Sequence, residues 1–314
     1  MASFFILADQ ARSKFHMSNF FMFRSSNRKY MEGIKISLLE AFIDAAMRED
    51  VKDGDHTSLA CIDPTSRDTA KLLVKDEGVI AGVDFAEFVF RRLDPECGFE
   101  RMISDGTKVK YGDIAFEITT DSQTLLKGER LVLNTMQRLS GVSSMSRKFA
   151  DLVDDLPVTI LDTRKTTPLM RFLEKWAVRV GGCTNYRDGL YDWIMIKDNH
   201  VDACGGIGKA IKKVKEYLKA NKKELGITVE TRNLEELQEV LEEGGITRIM
   251  LDNYDLDMMR QAVQIIDKRY EAEASGGVNL STVRAIAETG VDFISVGALT
   301  HSAGSLDMSL KIKK

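Results

Sequence analysis

Arg164 and Lys165 follow closely on one short β-branched, apolar run, and Lys197, Glu230 and Asp252 each stand directly after another. Charges set against buried strands need partners, and Arg forks mixed with Lys point charges suit a heavily anionic ligand. Thr163, Thr166 and Thr167 add hydroxyl donors beside the first two cations, and Pro168 biases Thr167 out of the helical region. Arg187 lies in a Gly-rich loop, Gly181 to Leu190, that could cradle a ligand or simply turn. Arg171, Lys175 and Arg179 recur at four-residue spacing, which predicts the solvated face of a helix. Glu230 and Asp252 end consecutive runs and offer hard oxygen ligands for Mg²⁺ and for ribose hydroxyls; a general acid/base pair, as in glycosidases, is the competing chemistry. The surrounding cations argue against a neutral sugar and favour metal and ribose. Ser275-Gly276-Gly277 and Val296-Gly297-Ala298 close the last two runs, where backbone N–H groups bind phosphate if no side chain bars the approach. His200, after Lys197-Asp198-Asn199, is either catalytic or a structural hydrogen-bond partner.

These residues need a scaffold that brings them together, and six runs supply it: Val158–Leu161, Trp193–Ile196, Ile227–Val229, Ile249–Leu251, Tyr270–Ala274 and Phe293–Val296. Roughly 20 to 30 residues of mostly helical pattern separate them, the length of one βα unit. Strand ends on one side of a parallel barrel converge, so the terminal residues would share one mouth. The predicted class is α/β: a barrel of parallel strands over residues 139–300, preceded by an α+β domain over 34–138. The tail, 301–314, reads as a final amphipathic element that could pack with that first domain.

Within the first domain, Leu38, Leu39, Phe42, Ile43 and Met47 recur at helical spacing after Ser37. Strands are predicted over Ala70–Val74, Gly78–Ala81 and Ala115–Thr119, with a helix over Val83–Leu93. Leu126–Leu152 reads as a helix with a break at Gly141. Residues 1–33 carry five cations against two acids, with several Phe and Ser, and read as an extension or a mis-assigned start rather than a clean targeting helix. Across 314 residues the net charge is −4, which excludes a global basic field for nucleic acid. No run reaches the roughly 20 apolar residues of a membrane span. Four scattered cysteines without CxxC spacing point away from zinc ribbons and disulfides, toward a reducing cytoplasm.

Thr163-Arg164-Lys165-Thr166-Thr167-Pro168, Asn185 to Leu190, Ile196 to His200, Ser275-Gly276-Gly277 and Val296 to His301 together resemble the quinolinate phosphoribosyltransferases. Asp50 to Thr57, Glu77 to Gly82 and Gly128-Glu129-Arg130 add to the likeness, which runs from about Ser37 to Leu310. The resemblance implies transfer of phosphoribosyl from phosphoribosyl pyrophosphate to quinolinate, with Mg²⁺, giving nicotinate mononucleotide, pyrophosphate and CO₂ for NAD biosynthesis. It implies an open, incomplete α/β barrel and a homodimer or higher even assembly, each barrel mouth covered by the partner's first domain. Carried over, Arg164, Lys165 and Arg187 would hold the quinolinate carboxylates, joined by Arg130 from the neighbouring subunit. Lys165 and Lys197 would act in catalysis, Glu230 and Asp252 would take ribose and metal, and the Ser275 and Gly297 loops the 5′-phosphate. Tyr186 stands where the family usually has His, Leu169 replaces a Gly after the Pro, and Cys183 a third Gly. The alternatives are a paralogous enzyme for another ring acid, or a non-catalytic binder of phosphoribosyl pyrophosphate.

Overall fold

The computed structural model describes residues 31–313. In chain order these form α1 (Ile36–Asp50), α2 (His56–Cys61), β1 (Arg67–Val74), β2 (Gly78–Val79), α3 (Val83–Leu93), β3 (Gly98–Arg101), β4 (Lys108–Val109) and β5 (Ile114–Asp121). A 30-residue helix, α4 (Ser122–Asp151), follows. Then come β6 (Thr159–Leu161), α5 (Arg171–Val180), β7 (Ile194–Ile196), α6 (Asp198–Cys204), α7 (Ile207–Ala220), β8 (Ile227–Thr231) and α8 (Leu234–Glu243). The chain continues through β9 (Arg248–Asp252), α9 (Leu256–Ile266), β10 (Glu271–Ser275), α10 (Val283–Ala287), β11 (Phe293–Ser295), α11 (Ala298–His301) and β12 (Met308–Ile312).

The six predicted runs are the six strands of one parallel sheet, ordered β6-β11-β10-β9-β8-β7. Consecutive strands are neighbours from β7 to β11, and β6 lies beyond β11, so the sheet curls into a ring whose single unpaired seam falls between β6 and β7. The barrel is open, as expected. Every residue of β8 is buried, because the sheet is covered on both faces. On the inward face, register sets Thr228 beside Arg248 and Arg248 beside Glu271, with Asp252 beside Ser275 nearer the mouth.

The first domain is built on an antiparallel sheet, β12-β1-β5-β3, and the short pair β2-β4. The predicted strands and the Val83–Leu93 helix are present; β3 and β4 were too short to be read from sequence. The tail joins this sheet as a strand: β12 pairs with β1 from Ala70↔Ile312 to Val74↔Met308. The expected extension over 1–33 lies outside the described residues up to 30. Met31, at its end, is fully buried and donates its N–H to Asp84 Oδ2 at 3.1 Å.

Helix α4 joins the two units. Asp121 caps it by accepting the Thr124 N–H at 2.7 Å. Ser140 and Ser144 on its buried side accept the N–H groups of Ala81 and Val79, each at 2.8 Å, while Ser143 donates to the Ala177 carbonyl of α5 at 2.7 Å. The break expected at Gly141 does not occur. A methyl group there would lie 1.8 Å from the Gly304 carbonyl oxygen, so glycine serves close backbone approach rather than a bend.

Candidate active site

The mouth is assembled from strand ends. Lys197, following β7, and Glu230, on β8, meet at 2.6 Å (Nζ to Oε2). Asp252 ends β9 on the same inward side; burial and the charge of Glu230 push its carboxyl up, while Asn253 holds one oxygen at 2.8 Å. A carboxylate whose ionisation is opposed by burial and a neighbouring acid is one a divalent cation would stabilise. Among the described residues no group of three or more His, Cys, Asp or Glu could enclose a metal, so a cation here would share its shell with ligand oxygens and water.

The arginines form a second group. Arg187 reaches the Trp193 carbonyl at 3.4 Å and Met195 Sδ at 3.3 Å, long contacts that leave most of its donors for a ligand. Burial and the nearby charge of Arg164 lower its pKa. Arg164 Nε is itself buried with no hydrogen-bond partner. Two adjacent guanidiniums, one with an orphaned buried donor, form a site for a dianion. Lys165 extends toward the last loop, where a methyl group on Gly297 would lie 3.1 Å from its side chain. Thr163 Oγ1 accepts the Lys165 N–H at 3.1 Å, and Thr300 donates to the Lys165 carbonyl at 2.9 Å. The glycine loops are open: Gly276 has φ +92°, with Asn253 Oδ1 filling the place of a Cβ, and around Gly277 a Cβ would meet nothing. Ser275, Gly276 and Gly277 thus flank Asp252, while Val296, Gly297 and Ala298 lead into α11 beside Lys165.

Two expectations need correction. Lys175 is not solvated: it is 2 % exposed and meets Asp162 Oδ1 at 2.5 Å. Asp162, wholly buried, also accepts the Tyr186 N–H at 2.8 Å and Asn185 Nδ2 at 2.6 Å, so this ion pair anchors the loop that carries Arg187. Arg171 likewise holds Thr166 Oγ1 at 3.0 Å and the Asp188 carbonyl at 2.9 Å, tying the two substrate-facing loops together. Helical spacing identified the face but not what it packs against. The structural hydrogen bond allowed for His200 is present: its Nδ1 accepts the Lys197 N–H at 2.9 Å at the start of α6.

Sequence reading also missed Glu174, fully buried, which accepts from Arg138 Nε at 2.9 Å and from Thr167 Oγ1 at 2.7 Å. The available signal was a Glu-Lys pair inside an otherwise apolar stretch, Phe172 to Val178. Arg130 is exposed on α4 and belongs to none of these clusters within one chain. The two buried thiols are not poised for attack: burial pushes Cys97 up to about 11 and Cys183 up to about 12.

Residues 55–140 match the family model of the quinolinate phosphoribosyl transferase N-terminal domain, and residues 142–311 that of the C-terminal domain. An Arabidopsis thaliana relative named nicotinate-nucleotide pyrophosphorylase [carboxylating], chloroplastic, is 45% identical over 289 residues, 87% of this chain and 82% of its own. A Bacillus subtilis (strain 168) relative, a probable nicotinate-nucleotide pyrophosphorylase [carboxylating], is 40% identical over 274 residues, covering 87% of this chain and 93% of its own. Among solved structures, NadC from Streptococcus pyogenes superposes with a TM-score of 0.83 at 36% identity over 90% of this chain and 99% of the other. With both domains matched in order and a mouth of paired guanidiniums, paired carboxylates and open glycine loops, this chain belongs to the quinolinate phosphoribosyltransferase family.

Proposed function

We propose that this chain catalyses quinolinate phosphoribosyl transfer with decarboxylation, the step that makes nicotinate mononucleotide for NAD biosynthesis. The observation that carries the assignment is the buried, unpartnered Arg164 Nε beside Arg187, since a ring dicarboxylate supplies what both guanidiniums lack. In this reading Arg164, Lys165 and Arg187 bind the two carboxylates, with Thr163 and Tyr186 shaping the same pocket. Ser275 and the N–H groups around Gly276, Gly277, Val296, Gly297 and Ala298 take the 5′-phosphate. Glu230 and Asp252 hold the ribose hydroxyls and would hold Mg²⁺, whose chemistry is to neutralise charge on the leaving pyrophosphate.

The reaction needs position and charge more than a nucleophile. As the C1–oxygen bond breaks, its electron pair goes to pyrophosphate and positive charge builds on the ribose carbon. Lys165 and Lys197 offset the leaving-group charge, and the carboxylates of Glu230 and Asp252 sit close to the cationic sugar. The quinolinate ring nitrogen then bonds to C1. The resulting pyridinium draws the electron pair of the C2–carboxylate bond as CO₂ leaves, and C2 takes up a proton. Lys197 is held by Glu230 before any ligand binds, so its ammonium is pre-oriented.

Steady-state assays with quinolinate, nicotinate and related ring acids test the assignment. Quinolinate-dependent release of CO₂ and pyrophosphate is the expected result; turnover confined to another acid, or binding of phosphoribosyl pyrophosphate without turnover, would overturn it. The active form in this reading is a homodimer or higher even assembly, with Arg130 entering the partner's pocket. No helix among the described residues is long and apolar enough to cross a membrane. A cytoplasmic location is proposed, supported by four free cysteines. The Arabidopsis relative is named chloroplastic and a Nicotiana glauca relative, 44% identical, mitochondrial. Fluorescent fusions of the full chain and of a chain begun at Met31 test the location: organelle import of the full chain alone would overturn it.

A further inference from the structure

We infer that Arg248, two layers below the mouth, is a positioning residue for the ring-acid half of the site: it props Tyr186 across the open seam and claims Glu273, leaving Arg187 free for substrate. The inference rests on the assignment of Arg187 to the acid carboxylates made above.

The seam between β6 and β7 has no strand to close it. The segment leading to Tyr186 takes one side, with Thr184 bridged in parallel to Leu161 and its N–H donating to the Ile160 carbonyl at 2.9 Å. Among the described residues no backbone hydrogen bond ties this segment to β7. Instead the Tyr186 side chain crosses the interior, and its Oη lies 2.6 Å from Thr228 Oγ1 on β8. Trp193 Nε1 donates to the same hydroxyl at 2.9 Å and sets its ring edge-on to Tyr186, centroids 6.0 Å apart. Tyr186 is therefore a strut, and Arg187 is the next residue along it.

Arg248 supports that strut from beneath. It is 6 % exposed, and its guanidinium carbon lies 3.7 Å from the centroid of the Phe293 ring, 5.0 Å from Tyr186 and 5.7 Å from Trp193. Such cation–π contacts strengthen once water is excluded. The guanidinium is also charge-paired, with Nη1 3.2 Å from Glu273 Oε2 and Nε 2.9 Å from Glu271 Oε2. Glu273 is wholly buried and takes the Ser295 hydroxyl on its other oxygen. Its charge also reaches Arg187. Without Arg248, Glu273 would lose its ion-pair partner, and its charge would act on Arg187 in competition with the substrate. Buried ion pairs add little stability compared with apolar residues of the same volume, so stability alone does not account for a cation at this position.

Steady-state kinetics with each substrate varied in turn test this on the wild type, Arg248→Met, Arg248→Lys and the paired Arg248→Met/Glu273→Gln enzyme, alongside thermal unfolding. In Arg248→Met, KM for quinolinate should rise about tenfold or more, while KM for phosphoribosyl pyrophosphate stays within about twofold. Arg248→Lys should recover part of the loss, keeping the charge beside Glu273 but not the flat stack. The paired variant, whose residue 273 can no longer compete for Arg187 as a carboxylate, should show a smaller but distinct rise. It also carries the test if Arg248→Met fails to fold, since no buried charge is left alone. Equal rises in both KM values, or none in either variant, would overturn the inference. A wild type inert toward quinolinate would instead overturn the assignment on which it rests; an active wild type with indifferent variants overturns the inference alone.

Discussion

Lys197 shows how one side chain can be functional without being structural. Its side chain is 44 % exposed and its one close partner is Glu230, at 2.6 Å. Lys197→Ala should lower kcat by roughly 10²- to 10³-fold, the usual cost of losing one preorganised charge at a site of developing charge. The melting temperature should move by only a few degrees, because little packed surface goes with it. Unchanged turnover would remove Lys197 from the mechanism. Lys175 is the opposite case, charged and silent in catalysis yet needed for the site. Lys175→Met leaves Asp162 buried without its cation, and such a break costs about 3–5 kcal/mol. Chemical denaturation should read that loss, and weaker quinolinate binding should accompany it because Asp162 anchors the Arg187 loop. Both lysines sit on simple patterns in the sequence. Lys197 was legible because it ends an apolar run; Lys175 was misread because i, i+4 spacing tells which residues share a face and not what that face meets.

Among elements, the strands of the barrel were the easiest to read. Parallel strands buried on both sides write contiguous apolar runs, and their ends are abrupt because function changes there. The first domain was harder. β3 and β4 span four and two residues, too short for any period to emerge. The tail read as amphipathic without a fixed type, although Met308, Leu310 and Ile312 alternate with polar residues as a strand does. In α4, Gly141 reads as a break, since sequence shows a missing side chain but not the backbone that occupies its space. Gly141→Ala puts a methyl group 1.8 Å from the Gly304 oxygen and must push helix and tail apart. The expected destabilisation is about 1–3 kcal/mol, measured by denaturant unfolding. Wild-type stability in that variant would show that the 304 segment can move aside at no cost. The seam strut was beyond the sequence altogether, because Tyr186, Thr228 and Arg248 meet only after the ring has curled.

For the whole molecule, the question is whether one chain makes one complete site. Arg130, exposed on α4 and apart from the mouth of its own chain, is assigned to a second protomer's pocket. Mixing two inactive variants tests this: Arg130→Ala and Lys197→Ala, combined by unfolding and refolding, should regain about a quarter of wild-type activity. Half of randomly formed dimers would be mixed, and each would hold one site free of both defects. Mixing that restores nothing would place Arg130 in its own subunit's site or outside catalysis. The C-terminal strand has a consequence of a different kind. β12 pairs along β1, so the first sheet takes a strand from the last residues of the chain. A ribosome delivers β1 long before β12, leaving an unpaired edge while more than two hundred residues are still to come. Synthesis order and assembly order are therefore reversed for this domain, and barrel strands β7 to β10, which pair in sequence order, have the opportunity to form before the domain that precedes them is finished.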